Sequence, residues 1–301
     1  MSKQSLIRLA ALGLIWGSVF MWIKIAGYGL SPVQMVFGRL VLGAAVLVAM
    51  GYIRGLRLPQ GRQLWGHLTI AALLGNAIPW VLFAEGERAG STGVAGVINA
   101  TTPLWTVAIT LLWRQRLGLA RAIGLALGVG GTALIAAPWN GGELDGVPHF
   151  VIGTISLGIS FAYMGRYLTG RGIPPLMLAA GQLIAASALL TVAVPFAGLQ
   201  PIDLRTDSVF SLLVLGILGT GFAYVLNFRL IIDDGGTAAS TVTYLLPIVA
   251  VVLGVVVLDE PLAWTVLAGM ATNLAAAGLV RIRPRLPKVT TDHLVPAGDR
   301  A

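Results

Sequence analysis

Ten stretches of this chain stay apolar for about 20 residues at a time, which is the length of helix that crosses a bilayer. They run roughly over 5–27, 31–52, 63–84, 91–113, 119–138, 149–169, 175–197, 208–231, 237–258 and 262–281. Inside hydrocarbon every backbone N–H and C=O must find its partner within the protein, so only helices and closed barrels can span it. Barrel strands alternate polar with apolar residues, and these runs do not. The expected fold class is therefore all-α integral membrane, with ten transmembrane helices. Charged residues make up 11% of the chain, against about 25% in a soluble domain. That shortfall means most of the surface does not face water. The first run carries Lys3 and Arg8 like a leader, but its length, Trp16 and Trp22 mark it as a retained helix. There is no cysteine, which excludes disulfides and thiolate metal sites.

A net charge of +8 would suggest nucleic acid as a partner in a soluble protein. Here its distribution explains it. With the N-terminus inside, sixteen of the twenty basic residues fall in inner segments, from Lys3 and Arg8 through Arg54, Arg57 and Arg62 to Arg281 and Arg283. Only Lys24, Arg88 and Arg205 lie outside, where Glu85, Glu87, Asp203, Asp207, Asp259 and Glu260 gather. Basic residues in short loops set orientation, so both termini are expected in the cytoplasm.

The chain also repeats itself. Ser31-Pro32, Gly38-Arg39-Leu40 and Ala45 match Pro174-Pro175, Gly181-Gln182-Leu183 and Ala188 at an offset of 143. Gly75, Trp80 and Pro103 match Gly219, Tyr224 and Pro247 at 144. The expected organisation is a first repeat over 1–138, an outer connecting loop over 139–148, a second repeat over 149–283 and a disordered tail over 284–301. Five spans per copy is an odd number, so the second copy enters the membrane inverted. Inverted repeats are a recurrent carrier architecture, with the substrate bound near the midplane between the halves.

Several of these residues carry a family resemblance. Trp16-Gly17-Ser18-Val19-Phe20, Pro32 followed by Arg39, Pro103, Pro247 and Leu258-Asp259-Glu260-Pro261-Leu262, in that order, resemble an EamA-type transporter of the drug/metabolite transporter superfamily. The resemblance covers nearly the whole chain and implies a five-plus-five helix fold and export of small metabolites. Amino acids, aromatic or large neutral ones above all, are the leading substrates it implies. One feature departs from the pattern: the family's glutamate after the fourth span is replaced by Arg116, while its copy Glu260 remains.

Polar groups inside a membrane helix cost free energy unless paired, so they mark interfaces or pathways. The first span offers Trp16 and Ser18, and its copy Ser160 and Tyr163. The third offers Asn76 and Trp80, four apart and so on one face; its copy offers Thr220, Tyr224 and Asn227. The fourth offers Asn99 and Thr102 before Pro103, and its copy Thr243 and Tyr244 before Pro247. Rings supply apolar area and cation–π attraction, while amides orient polar groups. Ordinary helix packing or an interhelical hydrogen bond is the alternative for each. Pro103 and Pro247 lack an N–H and should kink their helices, as hinge candidates or as fixed shape. Arg39, well inside a span, is a candidate partner for a substrate carboxylate; its alternative is to snorkel outward or satisfy backbone carbonyls. Its counterpart is the neutral Gln182. Gly124 and Gly128 are spaced for a helix dimer or for close packing within one chain.

No acidic residue or histidine falls near the middle of a span, so the sequence offers no proton carrier and favours a facilitator. It also calls for no catalytic residue, metal or cofactor. The expected partners are a small-molecule substrate and the lipid bilayer, not nucleic acid, with the chain a monomer or weak homodimer. The alternatives are another metabolite class on the same fold, such as a nucleotide sugar or a lipid-linked or drug-like molecule. A channel or an intramembrane enzyme is less well supported: there is no repeated charged filter and no histidine base near Ser18 or Ser160.

Overall fold

A computed structural model describes residues 2–111, 119–136, 146–168, 170–197, 200–234 and 240–281. The expected tail, most of the connecting loop, and Arg116 lie outside those residues. What is described is helical throughout, without a strand. In chain order the helices are α1 (Lys3–Ala26), α2 (Pro32–Ile53), α3 (Arg62–Ala89), α4 (Thr92–Asn99), α5 (Thr102–Leu111) and α6 (Leu119–Ala136). They are followed by α7 (Val147–Tyr167), α8 (Pro175–Ala197), α9 (206–234), α10 (Leu245–Leu258) and α11 (Trp264–Arg281). Six of them, α1, α2, α3, α7, α8 and most of α9, are long and apolar enough to cross a membrane. The rest are shorter and apolar.

Local chemistry sets the ends. Ser31 opens α2 with a reciprocal capping box: its side chain accepts the Gln34 N–H, the Gln34 side chain accepts its N–H, and Pro32 occupies a position needing no donor. Three departures from the expected spans shape the two ends of the bundle and its middle. First, α3 runs on to Ala89, so Glu85 and Glu87 are helical, and Glu87 is 2% exposed. Both acids still lie at a span end, as expected, but Glu87 is buried there.

Second, the fourth span is two helices. Pro103 cannot donate to the carbonyl four residues back, and the helix stops at Asn99. The hydroxyls of Thr102 and Thr101 donate instead to the carbonyls of Asn99 (2.6 Å) and Ile98 (2.7 Å). In the matching ninth span a 3₁₀ turn, Ser240–Tyr244, precedes Pro247.

Third, both α3 and α9 contain π-helical turns, at Leu73–Ala77 and Val214–Phe222. The two stretches overlap under the 144-residue offset. Nothing in apolar periodicity announces such a turn, since it inserts one residue without changing composition.

The packing partners also follow the repeat. α6 lies along α11, α2 along α8, and α4 against α10. α1 packs on α9 and α10, as α7 packs on α3 and on α4 and α5. α2 packs on α9 as α8 packs on α3. Glycine lets α1 approach α10: a methyl on Gly17 would collide with the side chain of Val249. Gly128 is covered by Leu104 of the same chain, so close packing within one molecule accounts for that glycine. The expected outcome for Gly17→Leu is a loss of about 1–3 kcal/mol. Gly66→Leu, at a site with nothing within 4 Å, should cost nothing measurable. Thermal denaturation of the two variants in detergent micelles checks the difference.

Candidate functional site

A cavity of about 270 Å³ lies among α3, α7, α8 and α9. Gly75 and Trp80 of α3, Ser160 of α7, Gln182 of α8, and Tyr224 and Asn227 of α9 form its polar and aromatic wall. It extends from mid-helix toward Met164, Pro175 and Leu176, the end of the bundle where α1 begins and α7 gives way to α8.

The wall is built from the irregular backbone of α3. In the π turn the Ile78 N–H bonds the Leu73 carbonyl, five residues back. The next donor in that register would be Pro79, which has none, so the Leu74 carbonyl is orphaned. Ser156 of α7 supplies the missing donor at 2.7 Å. Ser160 donates to the Ala71 carbonyl at 3.0 Å, and the Gln182 amide donates to it at 3.3 Å. Gln182 also donates to Asn76 Oδ1 at 2.7 Å. Gly75 leaves room for this crossing, since a methyl there would strike Ser160 and Gln182. A bend in one helix has become a network that holds two others.

Arg39 stands one layer behind. It is 7% exposed and does not line the cavity. Its Nε donates to Thr220 Oγ1 at 2.9 Å, and its guanidinium carbon lies 3.9 Å from the centre of the Trp80 ring. The Thr220 hydroxyl donates to the Leu215 carbonyl (2.9 Å), five residues back in the second π turn. Arg39 therefore neither snorkels outward nor satisfies backbone carbonyls in this structure. It forms a cation–π contact with the face of Trp80 that is worth more once desolvated, and places a positive charge behind a wall whose lining side chains are all neutral.

At the opposite end of the bundle one carboxylate joins three elements. Glu260, in the turn between α10 and α11, accepts from Lys24 Nζ (2.8 Å), Ser91 Oγ (2.8 Å) and the Thr92 N–H (2.9 Å). Its second oxygen also faces the Gly93 N–H at 3.4 Å. It thus caps α4 and holds α1 with one carboxylate, using both the free N–H groups and the positive end of the helix. Lys24 also donates to the Gly90 carbonyl at 3.0 Å. Burial opposes the Glu260 charge, but Lys24, the Thr92 N–H and the Ser91 hydroxyl outweigh it and hold this carboxyl below its ordinary value.

The sequence of this chain matches the EamA-like transporter family twice, over residues 4–137 and 145–282. The chain belongs to the EamA-like transporter family. It is 31% identical over 251 residues to the uncharacterized inner membrane transporter YedA of Escherichia coli, covering 82% of this chain and 80% of YedA. It is 28% identical over 287 residues to a WAT1-related chloroplastic protein of Arabidopsis thaliana, covering 88% of this chain and 66% of that longer protein. A crystal structure 20% identical in sequence superposes with a TM-score of 0.63, over 93% of this chain and 98% of the other. That likeness is one of fold.

Of the residues singled out in this EamA-like chain from sequence, Trp80, Ser160, Tyr224 and Asn227 line the cavity. Asn76 bonds to its wall, and Trp16 packs edge-on against Tyr224 at 6.2 Å between ring centres. The others sit elsewhere. Ser18 bonds the Ile15 carbonyl of its own helix, and Thr102 bonds Asn99. Tyr163 meets His67 Nδ1 at 2.7 Å beside Tyr167, and Tyr244 closes the 3₁₀ turn before Pro247. Gln182 enters the wall through a signal the sequence did carry, its register with Arg39. The capping role of Glu260 had no such signal, because its partners lie 167 to 236 residues away.

Glu260→Gln should lower stability by about 1–3 kcal/mol at neutral pH, the usual cost of disabling a charge-assisted, partly buried hydrogen-bond set. Because the folded-state value of Glu260 is depressed, its contribution is present above its ordinary value of 4.5 and is lost as pH falls through the folded one. Thermal denaturation on acidification should show a steeper decline in the native protein than in Glu260→Gln.

Proposed function

We propose that this chain is a carrier that exports small neutral or zwitterionic metabolites, amino acids first among them, by alternating access between two inverted halves. The observation that carries this reading is the cavity wall: rings and amides with no formal charge, open toward one end of the bundle while Lys24 and Glu260 close the other. An aromatic or large neutral amino acid suits it. Trp80 and Tyr224 offer ring faces, Gln182 and Asn227 offer amides, and the charge of Arg39 behind Trp80 favours the carboxylate end over the ammonium. A nucleotide sugar or anionic lipid head group would call for several cations at the wall itself.

The inverted-repeat reading is supported by the exchange of packing partners under the 143–144 residue offset and by the double family match. The halves we assign are 1–138 and 149–283. Their placement in a bacterial inner membrane with both termini cytoplasmic draws on the likeness to YedA and on the distribution of basic residues. In that orientation the cavity faces the cytoplasm. Pro103 and Pro247, each at a break between two helical segments, are the proposed hinges. A hinge needs only a few element-terminal residues to absorb the motion. Because no titratable acid or histidine lines the cavity, the substrate step itself needs no ion, and the proposal is a facilitator.

Counterflow of labelled amino acids in proteoliposomes tests this reading, run beside sugars and nucleotides. Saturable exchange of aromatic or large neutral amino acids is expected. Exchange of only another class would overturn the substrate assignment, and conductance without saturation would overturn the carrier. Within that assay, Tyr224→Ala and Gln182→Leu should each raise the KM about tenfold or more, the loss of one ring contact or hydrogen bond at the wall. Unchanged KM would return both residues to packing.

A further inference from the structure

We propose that Lys24, Glu87 and Glu260 form a proton-binding site at the closed end of the bundle, with the exchangeable proton on Glu87 and its loss releasing the closure. Lys24 and Glu87 border the same small cavity, and the ammonium there is paired with Glu260 alone. Glu260 holds that ammonium together with the Ser91 hydroxyl and backbone N–H groups, an all-donor environment that requires the ionised form. Glu87 has one donor, the Thr92 hydroxyl at 3.0 Å on Oε2. Its Oε1 is buried with no partner among the described residues, although the residue is only 2% exposed. A carboxylate so poorly solvated is stable there with its proton on, and the cluster is then neutral.

Other charged groups at this end do not fill the deficit. Arg88, next in sequence, is exposed and turns to Glu85 at 3.5 Å. Arg205, before α9, pairs with Asp207 and lies over the Tyr28 ring, with Asp203 beside it. From the α10–α11 turn come Glu260, committed as above, and Asp259, which ends α10 in a left-handed conformation. α7 sets Phe150 against Gly86, and its titratable residue at this end is His149. A second cavity, about 170 Å³, reaches Glu87 between Ile23, Lys24, Tyr28, Ala84 and Arg88. It gives the proton a route to water: the Glu87 O–H bond breaks, the proton passes to water in the cavity, and the electron pair stays on the carboxylate. The new anion competes with Glu260 for Lys24. That ion pair is what ties α1 to the turn before α11, so alkaline conditions at this face should loosen it.

The inference rests on reading this end as the closed side of a carrier, but its test needs no substrate, so it can fail while counterflow succeeds. The chain has no cysteine, and spin labels at Ala89→Cys and Leu262→Cys would report across the closure in lipid nanodiscs. Raising the pH from about 5.5 to about 8.5 should increase a second, longer-distance population several-fold, and Glu87→Gln should keep the short distance throughout. Infrared difference spectra should show the band of a protonated carboxylic acid near neutral pH that is lost in Glu87→Gln. Should that variant not fold, Thr92→Val removes the one hydrogen bond to the carboxyl and should move the band to higher frequency. A distance distribution indifferent to pH, a pH response surviving in Glu87→Gln, or absence of the band would overturn the proposal.

Discussion

A carbonyl without a donor is the constraint on which this bundle turns. In hydrocarbon there is no water to satisfy it, and each such group costs several kcal/mol. A straight α-helix avoids the problem and offers nothing polar to a substrate. This chain departs from straight helices at a few places, and each departure frees backbone groups that other helices must satisfy. The π turn of α3 and Pro79 release the Leu74 carbonyl to Ser156, and Ala71 to Ser160 and Gln182. The π turn of α9 sets Thr220 to receive Arg39. Pro103 ends α4, and threonine hydroxyls take up the carbonyls left over. The candidate site is thus a by-product of repairing irregular backbone with side chains from neighbouring helices.

The two ends of the molecule are held by unlike means. Toward the cavity mouth, Arg8 of α1 pairs with Asp233 of α9, each about a third exposed. Exposed pairs of this kind contribute little and are screened by salt. At the other end one carboxylate is held by a cation, a hydroxyl and backbone N–H groups with little access to water. That difference in desolvation is consistent with one end open and the other shut. In sequence, the position that matches Glu260 in the first copy is Arg116, so at that register only the second copy carries a carboxylate.

Much of the fold was legible because apolar length and period need no tertiary knowledge. Most described helices begin and end within a few residues of the expected spans; the exceptions are α3, whose extra turn draws Glu87 inside, the fourth span, which is two helices, and α10, which begins only at Leu245. The break before Pro103 followed from the missing N–H. The π turns did not follow from anything, because an inserted residue alters hydrogen-bond register and not hydropathy. At the site, Trp80, Tyr224 and Asn227 were legible as polar or aromatic positions on one helical face, in register with the other copy. Ser18 and Thr102 satisfied the same pattern, yet they bond their own helices. Local hydrogen bonding and cavity lining look alike until the rotation of each helix is known.

By itself the sequence determined that the chain is a helical membrane protein, that it is duplicated, and that it carries almost no charge within its spans. These follow from length, composition and repetition, which are properties of the chain taken one segment at a time. Only the tertiary structure decided that Arg39 lies behind Trp80 and not at the wall. It alone brought Gln182 across to Asn76, and made Glu260 the clasp between α1 and α4. Those outcomes depend on which helix faces which, and the partners are 41 to 236 residues apart. No local pattern records so distant a neighbour, because packing and desolvation select it only when the helices come together.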